Sequence, residues 1–139
     1  MNIMLKLSDD GKTLENVLDR YANEVIIPNG VTRIGYHAFS NCHRLKNVII
    51  PNSVTDICDW AFDGCSSLQS IDIPNSVKSI GKYAFADCIS LGEIAIPSRL
   101  TKICGELFTI LSGWKINLTD LYTLTIFCTN TKERQKRDM

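Results

Sequence analysis

The chain has 139 residues, 45% of them hydrophobic, which is enough apolar material for one domain with a buried core and too much for a disordered chain. Lys plus Arg number 15 and Asp plus Glu 15, so the formal net charge is zero and no overall field would draw the protein to nucleic acid or anionic lipid. The six cysteines include no C-x-x-C pair, which favours buried thiols over a disulfide scaffold or a zinc site.

Met1 to Leu7 is apolar but runs into Ser8, Asp9 and Asp10, too soon for a signal-peptide core or a bilayer span. As written, the chain is expected in the cytoplasm; as a processed fragment it would be expected at the cell surface or secreted. Ile3, Leu5 and Leu7 alternate like a strand, Asp9-Asp10-Gly11-Lys12 reads as a turn, and Leu14 to Leu18 can run back. Residues 1–20 are therefore expected to form a hairpin capping the single domain.

Residues 21–108 repeat. Ile-Pro recurs at Ile27, Ile50, Ile73 and Ile96, each step being 23 residues. On that period Val31, Val54, Val77 and Leu100 share a column, and Ile34, Ile57, Ile80 and Ile103 share the next. Ala38, Ala61 and Ala84 then precede Phe39, Phe62, Phe85 and Phe108. Cys42, Cys65 and Cys88 follow, then Leu45, Leu68 and Leu91, and Val48, Ile71 and Ile94 lead back to Ile-Pro. Apolar residues fixed in every unit, with polar neighbours free to vary, are what stacked coils require, because only inward positions touch the coils above and below.

Within a unit, Ile71-Asp72-Ile73-Pro74 alternates like a strand that the proline stops. Asn29, Asn52 and Asn75 suit the tight turn that follows. The Ala-Phe and Cys columns predict a short helical or 3₁₀ turn closing each coil. Residues 109–131 read as a degenerate unit or cap: Asn117 and Thr119 fall where Val48 and Ile50 would, and a shift of seven residues restores the pattern as Leu121, Leu124 and Ile126, which predicts an insertion near 109–120. Residues 132–139, opening with Lys-Glu-Arg-Gln-Lys-Arg-Asp, read as a solvated tail of mixed sign.

The repeat resembles the BspA-like leucine-rich repeats, whose units read roughly Ile-Pro-x-x-Val-x-x-Ile-x-x-x-Ala-Phe-x-x-Cys-x-x-Leu-x-x-Ile, and the match runs from Val25 to Phe108. The resemblance implies a curved, right-handed solenoid with a parallel sheet on one face and short strands or 3₁₀ turns on the other. It also implies a role in protein recognition and no enzymatic residues.

Catalytic readings are weak on the residues themselves. The only histidines are His37 and His43, and Cys42 beside His43 is a core-column residue, whereas a cysteine nucleophile meets its base from a separate segment. Cys58 and Cys104 replace the Gly35 and Gly81 column two coils apart, about 10 Å at strand spacing, which is beyond disulfide reach. Asn117-Leu118-Thr119 is a glycosylation triplet that matters only in a secretory context. No cofactor, metal or nucleic-acid site is expected, and no membrane insertion.

Two candidate surfaces remain. Outward positions on the Ile-Pro strands are Glu24 and Ile26, Asn47 and Ile49, Ser70 and Asp72, Glu93 and Ala95. Ile26 and Ile49 make an apolar spot among acids, which is how recognition surfaces look, although β-branched residues also favour strands for their own sake. His37, Trp60 and Tyr83 form an aromatic stripe, read as packing first and as a binding platform second. A protein partner held on the sheet face is the expected function. The rival is a structural or homodimeric protein paired through Ile26 and Ile49 or through a last strand Thr123 to Cys128.

Overall fold

The structure, a computed structural model, describes residues 4–97, 100, 102–103 and 115–118. Among the described residues ten short strands follow one another: β1 (Leu5–Leu7), β2 (Thr13–Val17), β3 (Glu24–Ile26), β4 (Arg33–Ile34), β5 (Asn47–Ile49), β6 (Asp56–Ile57), β7 (Ser79–Ile80), β8 (Glu93–Ile96), β9 (Lys102–Ile103) and β10 (Lys115–Leu118). After an antiparallel hairpin β1–β2, every strand pair is parallel, and the partners Arg33, Asp56, Ser79 and Lys102 stand one repeat apart. Parallel neighbours one period apart in the chain are the signature of a coil stacked on itself.

The continuous ladder does not run where the Ile-x-Ile-Pro alternation points. It is the six-stranded sheet β1-β2-β4-β6-β7-β9, built on the Ile34 column, while the Ile-Pro side carries two separate pairs, β3–β5 and β8–β10. Composition explains the break. The third coil places Ser70 and Asp72 where the second has Asn47 and Ile49, and aspartate is a poor strand former. Ile71 and Ile73 stay buried there, so the inward and outward alternation outlives the hydrogen bonding. On the continuous side each coil's carbonyl serves two donors of the next: Thr55 and Asp56 both donate to Thr32 O, and Lys78 and Ser79 both donate to Thr55 O.

A third row of inter-coil bonds runs along the Ala-Phe corner. Phe39 N–H donates to Ala61 O at 2.7 Å and Phe62 N–H to Ala84 O at 2.8 Å. The corner is not a 3₁₀ helix. Its i→i+3 bonds skip residues, with Ala38, Ser40 and Cys42 donating to Gly35, His37 and Phe39, and the chain enters the left-handed region twice per coil. One left-handed column holds Asn41, Gly64 and Asp87, residue types that tolerate it; the other holds His37, Trp60 and Tyr83. A helix of either kind cannot pass through such residues.

Inside, the columns meet as the period requires. Phe39, Phe62 and Phe85 are buried and stacked, with ring centroids 4.6 and 5.3 Å apart and planes within 13° and 3°. Cys42, Cys65 and Cys88 are buried and free. The Cys65 thiol donates to Phe39 O and the Cys88 thiol to Phe62 O, each at 3.1 Å, so each thiol ties its coil to the one before. At the N-terminal end Leu14 and Val17 are fully buried, and Leu5 and Leu7 pack against the same core. Arg20 donates to Ser40 O and, at 2.9 Å, to Asn16 Oδ1, fastening the connection that leads into the first coil.

At the other end, β10 pairs with β8 with Ile116 opposite Ile94, a step of 22 residues. The seven-residue insertion is therefore corrected: the strand returns after losing one residue, and Ile116 takes the place that a strict period gives to Asn117. Phe108, Cys104, Trp114, the segment Leu121 to Ile126, the last strand Thr123 to Cys128 and the charged tail lie outside the described residues. Among the described residues no helix is long and apolar enough to cross a membrane.

Candidate binding face

Alternation fixes which side chains of the Ile-Pro side look outward. Val25, Ile27, Val48 and Ile50 are buried, so Glu24, Ile26, Asn47 and Ile49 must face away from the core, and Ile26 and Ile49 are 60% and 48% exposed. The β3–β5 register puts Ile26 beside Ile49 and Glu24 beside Asn47, whose amide donates to the carboxylate at 3.1 Å. Ser70 and Asp72 are exposed on the next coil. The backbone of Glu93 and Ala95 lies in β8, paired with β10. The structure thus gathers an apolar pair with an acid on either flank.

The aromatic stripe is also assembled, in a way that decides its chemistry. His37 and Trp60 stack at 5.8 Å and 11°, and Trp60 and Tyr83 at 4.4 Å and 24°. Ring faces that cover one another along the solenoid leave mainly edges for a ligand. The stack also answers a local cost, since bulky residues in the left-handed region are strained by about 1 kcal/mol or more each, and ring pairs return about 0.5–1.5 kcal/mol apiece. Beneath it, the Ser40 hydroxyl lies within hydrogen-bond distance of Trp60 O at 3.1 Å and of His37 Nδ1 at 2.8 Å. Nearby, burial and then Asp87 push the Asp63 carboxyl up, against a smaller pull from His37.

Sequence reasoning missed one feature. Outside the six-stranded sheet, a hollow of about 270 Å³ is lined by Arg33, Tyr36, Asp56, Cys58, Asp59 and Ser79 among others. Its signal was the Gly35, Cys58, Gly81 column: a Cβ at Gly81 would stand 2.5 Å from Asp59 N and overlap the Asp59 carboxylate, so the backbones meet there without side chains between them. Burial pushes the Cys58 thiol up, with Arg33 opposing. Among the described residues no group of three or more His, Cys, Asp or Glu is placed to hold a metal ion.

Against known proteins, residues 19–131 match the BspA type leucine rich repeat region in six copies. The chain belongs to the BspA-type leucine-rich repeat family. Solved structures of bacterial leucine-rich repeat proteins share this BspA-type fold. A leucine rich repeat protein of T. pallidum superposes with a TM-score of 0.68 at 22% identity, over 92% of this chain and 76% of that one. A leucine rich cell surface protein of Faecalibacterium prausnitzii gives 0.69 at 29% identity, over 91% of this chain but only 40% of its own. A leucine-rich repeat protein of Bacteroides capillosus gives 0.68 at 28% identity, over 81% and 91%. No curated protein matches the sequence.

Proposed function

We propose that this BspA-type repeat is a non-catalytic recognition module that holds a protein partner on the face carrying Ile26 and Ile49. The observation that supports this most strongly is the exposure of two adjacent large aliphatics, 60% and 48%, with Glu24 and Asp72 on either side. Strand propensity accounts for the β3–β5 pairing, which lapses at Asp72, but burial of the core does not require them. The same outward column holds Asp72 in the third coil, and there the core residues Ile71 and Ile73 remain buried. The fold therefore tolerates a charge at this position, and an apolar pair left uncovered has the make-up of an interface centre with a polar rim. Zero net charge and acids beside the spot favour a protein over a nucleic acid. The cell-surface setting named for the Faecalibacterium protein is proposed here as well, and labelling of intact source cells tests it.

A photoreactive residue placed at position 49 tests the face directly, with one at position 36, in the turn after β4, as control. Cross-linking of a protein partner from 49 and not from 36 is expected. Cross-links confined to 36 would move the site to the hollow beside Cys58, and a link from 49 to a second copy of the chain would turn the reading to self-association.

A further inference from the structure

The two sides of the solenoid do not begin at the same level. On the six-stranded side the first coil's strand β4 has β2 and then β1 stacked before it. On the Ile-Pro side β3 comes first, and among the described residues nothing pairs with its outer edge. The resulting step is two strands deep, about 10 Å at ordinary spacing.

Register tells which groups face that step. Lys46 and Asn47 donate to Asn23 O, and Ile27 donates to Ile49 O. Residues 23, 25 and 27 thus turn their backbone groups towards β5, and alternation turns the N–H and C=O of Glu24 and Ile26 the other way, into the step. Natural sheet edges are commonly blunted by shortness, charge, proline or a bulge; β3 is short and bears Glu24, which deters a like-charged strand and suits a basic one, and it carries no proline or bulge. The edge also carries chemistry of its own. Ile26 is exposed beside it, and one oxygen of Glu24 takes the Asn47 amide while the other remains for a cation.

We propose that the open edge of β3 takes up an extended segment of a partner protein as an added strand, with a basic residue beside Glu24 and an apolar residue beside Ile26. Four aligned backbone groups ask for another backbone, as in strand-addition recognition elsewhere. The step accommodates one or two strands. A second solenoid approaching edge to edge would meet the projecting β1–β2 hairpin first, so a slender segment fits and a broad face does not. The proposal rests on the binding reading above and shares the Ile26 side chain with it, but adds the backbone groups of Glu24 and Ile26, which that reading does not use.

The test is amide NMR on the full chain with a capped seven-residue peptide of alternating lysine and valine. A glutamate-valine version and a fully N-methylated lysine-valine version serve as controls. Saturable binding of the lysine peptide should slow exchange of the Glu24 and Ile26 amides about tenfold or more, while Val25 and Ile27, already bonded, change little. The glutamate and methylated peptides should bind at least about tenfold more weakly. Ile26→Pro removes an N–H that the fold does not use, so it should cut affinity about tenfold below that of Ile26→Ala, which removes the side chain alone, with the thermal melt retained. Binding that leaves the Glu24 and Ile26 amides unchanged, or that survives N-methylation, would overturn strand addition while leaving recognition by the side-chain face standing. Protection of those two amides in the free chain would mean that the chain itself or a second copy fills the step, and would overturn it too, as would no binding at all.

Discussion

Truncating the middle ring of the phenylalanine stack, Phe62→Ala, probes the coupling between coils. Phe62 is fully buried and lies between Phe39 at 4.6 Å and Phe85 at 5.3 Å, so the change opens a cavity and breaks two ring pairs together. Phenylalanine to alanine in a packed core costs about 3–5 kcal/mol, a large part of the roughly 5–15 kcal/mol that holds a domain folded. Phe39→Ala opens a comparable cavity but breaks one ring pair, since Phe39 has a single ring partner among the described residues. Each pair is worth about 0.5–1.5 kcal/mol beyond its buried area, so Phe62→Ala should cost about 1 kcal/mol more than Phe39→Ala. Urea titrations followed by the fluorescence of Trp60, itself stacked between two coils, read both variants against the wild type. Equal midpoints, or a lower midpoint for Phe39→Ala, would refute nearest-neighbour stacking as the source of stability.

The remaining predictions concern thiols, pH and close backbone contacts. Under native conditions Cys42, Cys65 and Cys88 should alkylate slowly and half-buried Cys58 faster, with all four reacting in urea; mass spectrometry showing Cys65 labelled before Cys58 would contradict the placement of the column. Burial pushes the Cys42 and Cys58 thiols up, and contact with the Cys88 thiol together with burial pushes Cys65 up further. A raised folded pKa gives a stabilising contribution that is complete below the unfolded pKa and fades as pH climbs towards the folded one. The urea midpoint should therefore fall once pH passes about 8.5, where free cysteine ionises, and a midpoint that rises there would reverse the sign. Gly81→Ala drives a methyl into Asp59 and should destabilise by about 1–3 kcal/mol, whereas Gly92→Ala meets nothing within 4 Å and should lie between neutral and about 1 kcal/mol stabilising; thermal melts in the opposite order would show that the coils do not touch at Gly81.

Much of the fold was legible because a solenoid writes each structural position several times. Phe39, Phe62 and Phe85 announce one buried column, and the burial of Val25, Ile27, Val48 and Ile50 follows from alternation alone. Which side keeps a continuous ladder was not legible. That depends on small differences such as Asp72 standing where Ile49 stands one coil earlier, and the strands β4, β6 and β7 are only two residues long, too short for any alternation to show. The corner was misread for a related reason. Asn41, Gly64 and Asp87 signal left-handed backbone by their residue types, but His37, Trp60 and Tyr83 hide it, because ring stacking between coils overrides their local preference. The face at Ile26 and Ile49 could be read from period and parity. The hollow beside Cys58 was signalled only by the Gly35, Cys58, Gly81 column, and its shape follows from the close passage of Gly81 over Asp59, a contact between coils that the column alone does not disclose.

The central claim, that Ile26 and Ile49 form the contact surface and are not part of the packing, is tested most directly by the double variant Ile26→Asp, Ile49→Asp measured two ways. Exposed substitutions usually change stability by only about 0.5 kcal/mol, with somewhat more for two lost strand formers, so the melt should stay close to that of the wild type. Affinity for the cross-linked partner should fall by about tenfold or more, since each carboxylate would have to be buried at the contact without a counter-ion. Retained affinity together with a retained melt would contradict the account.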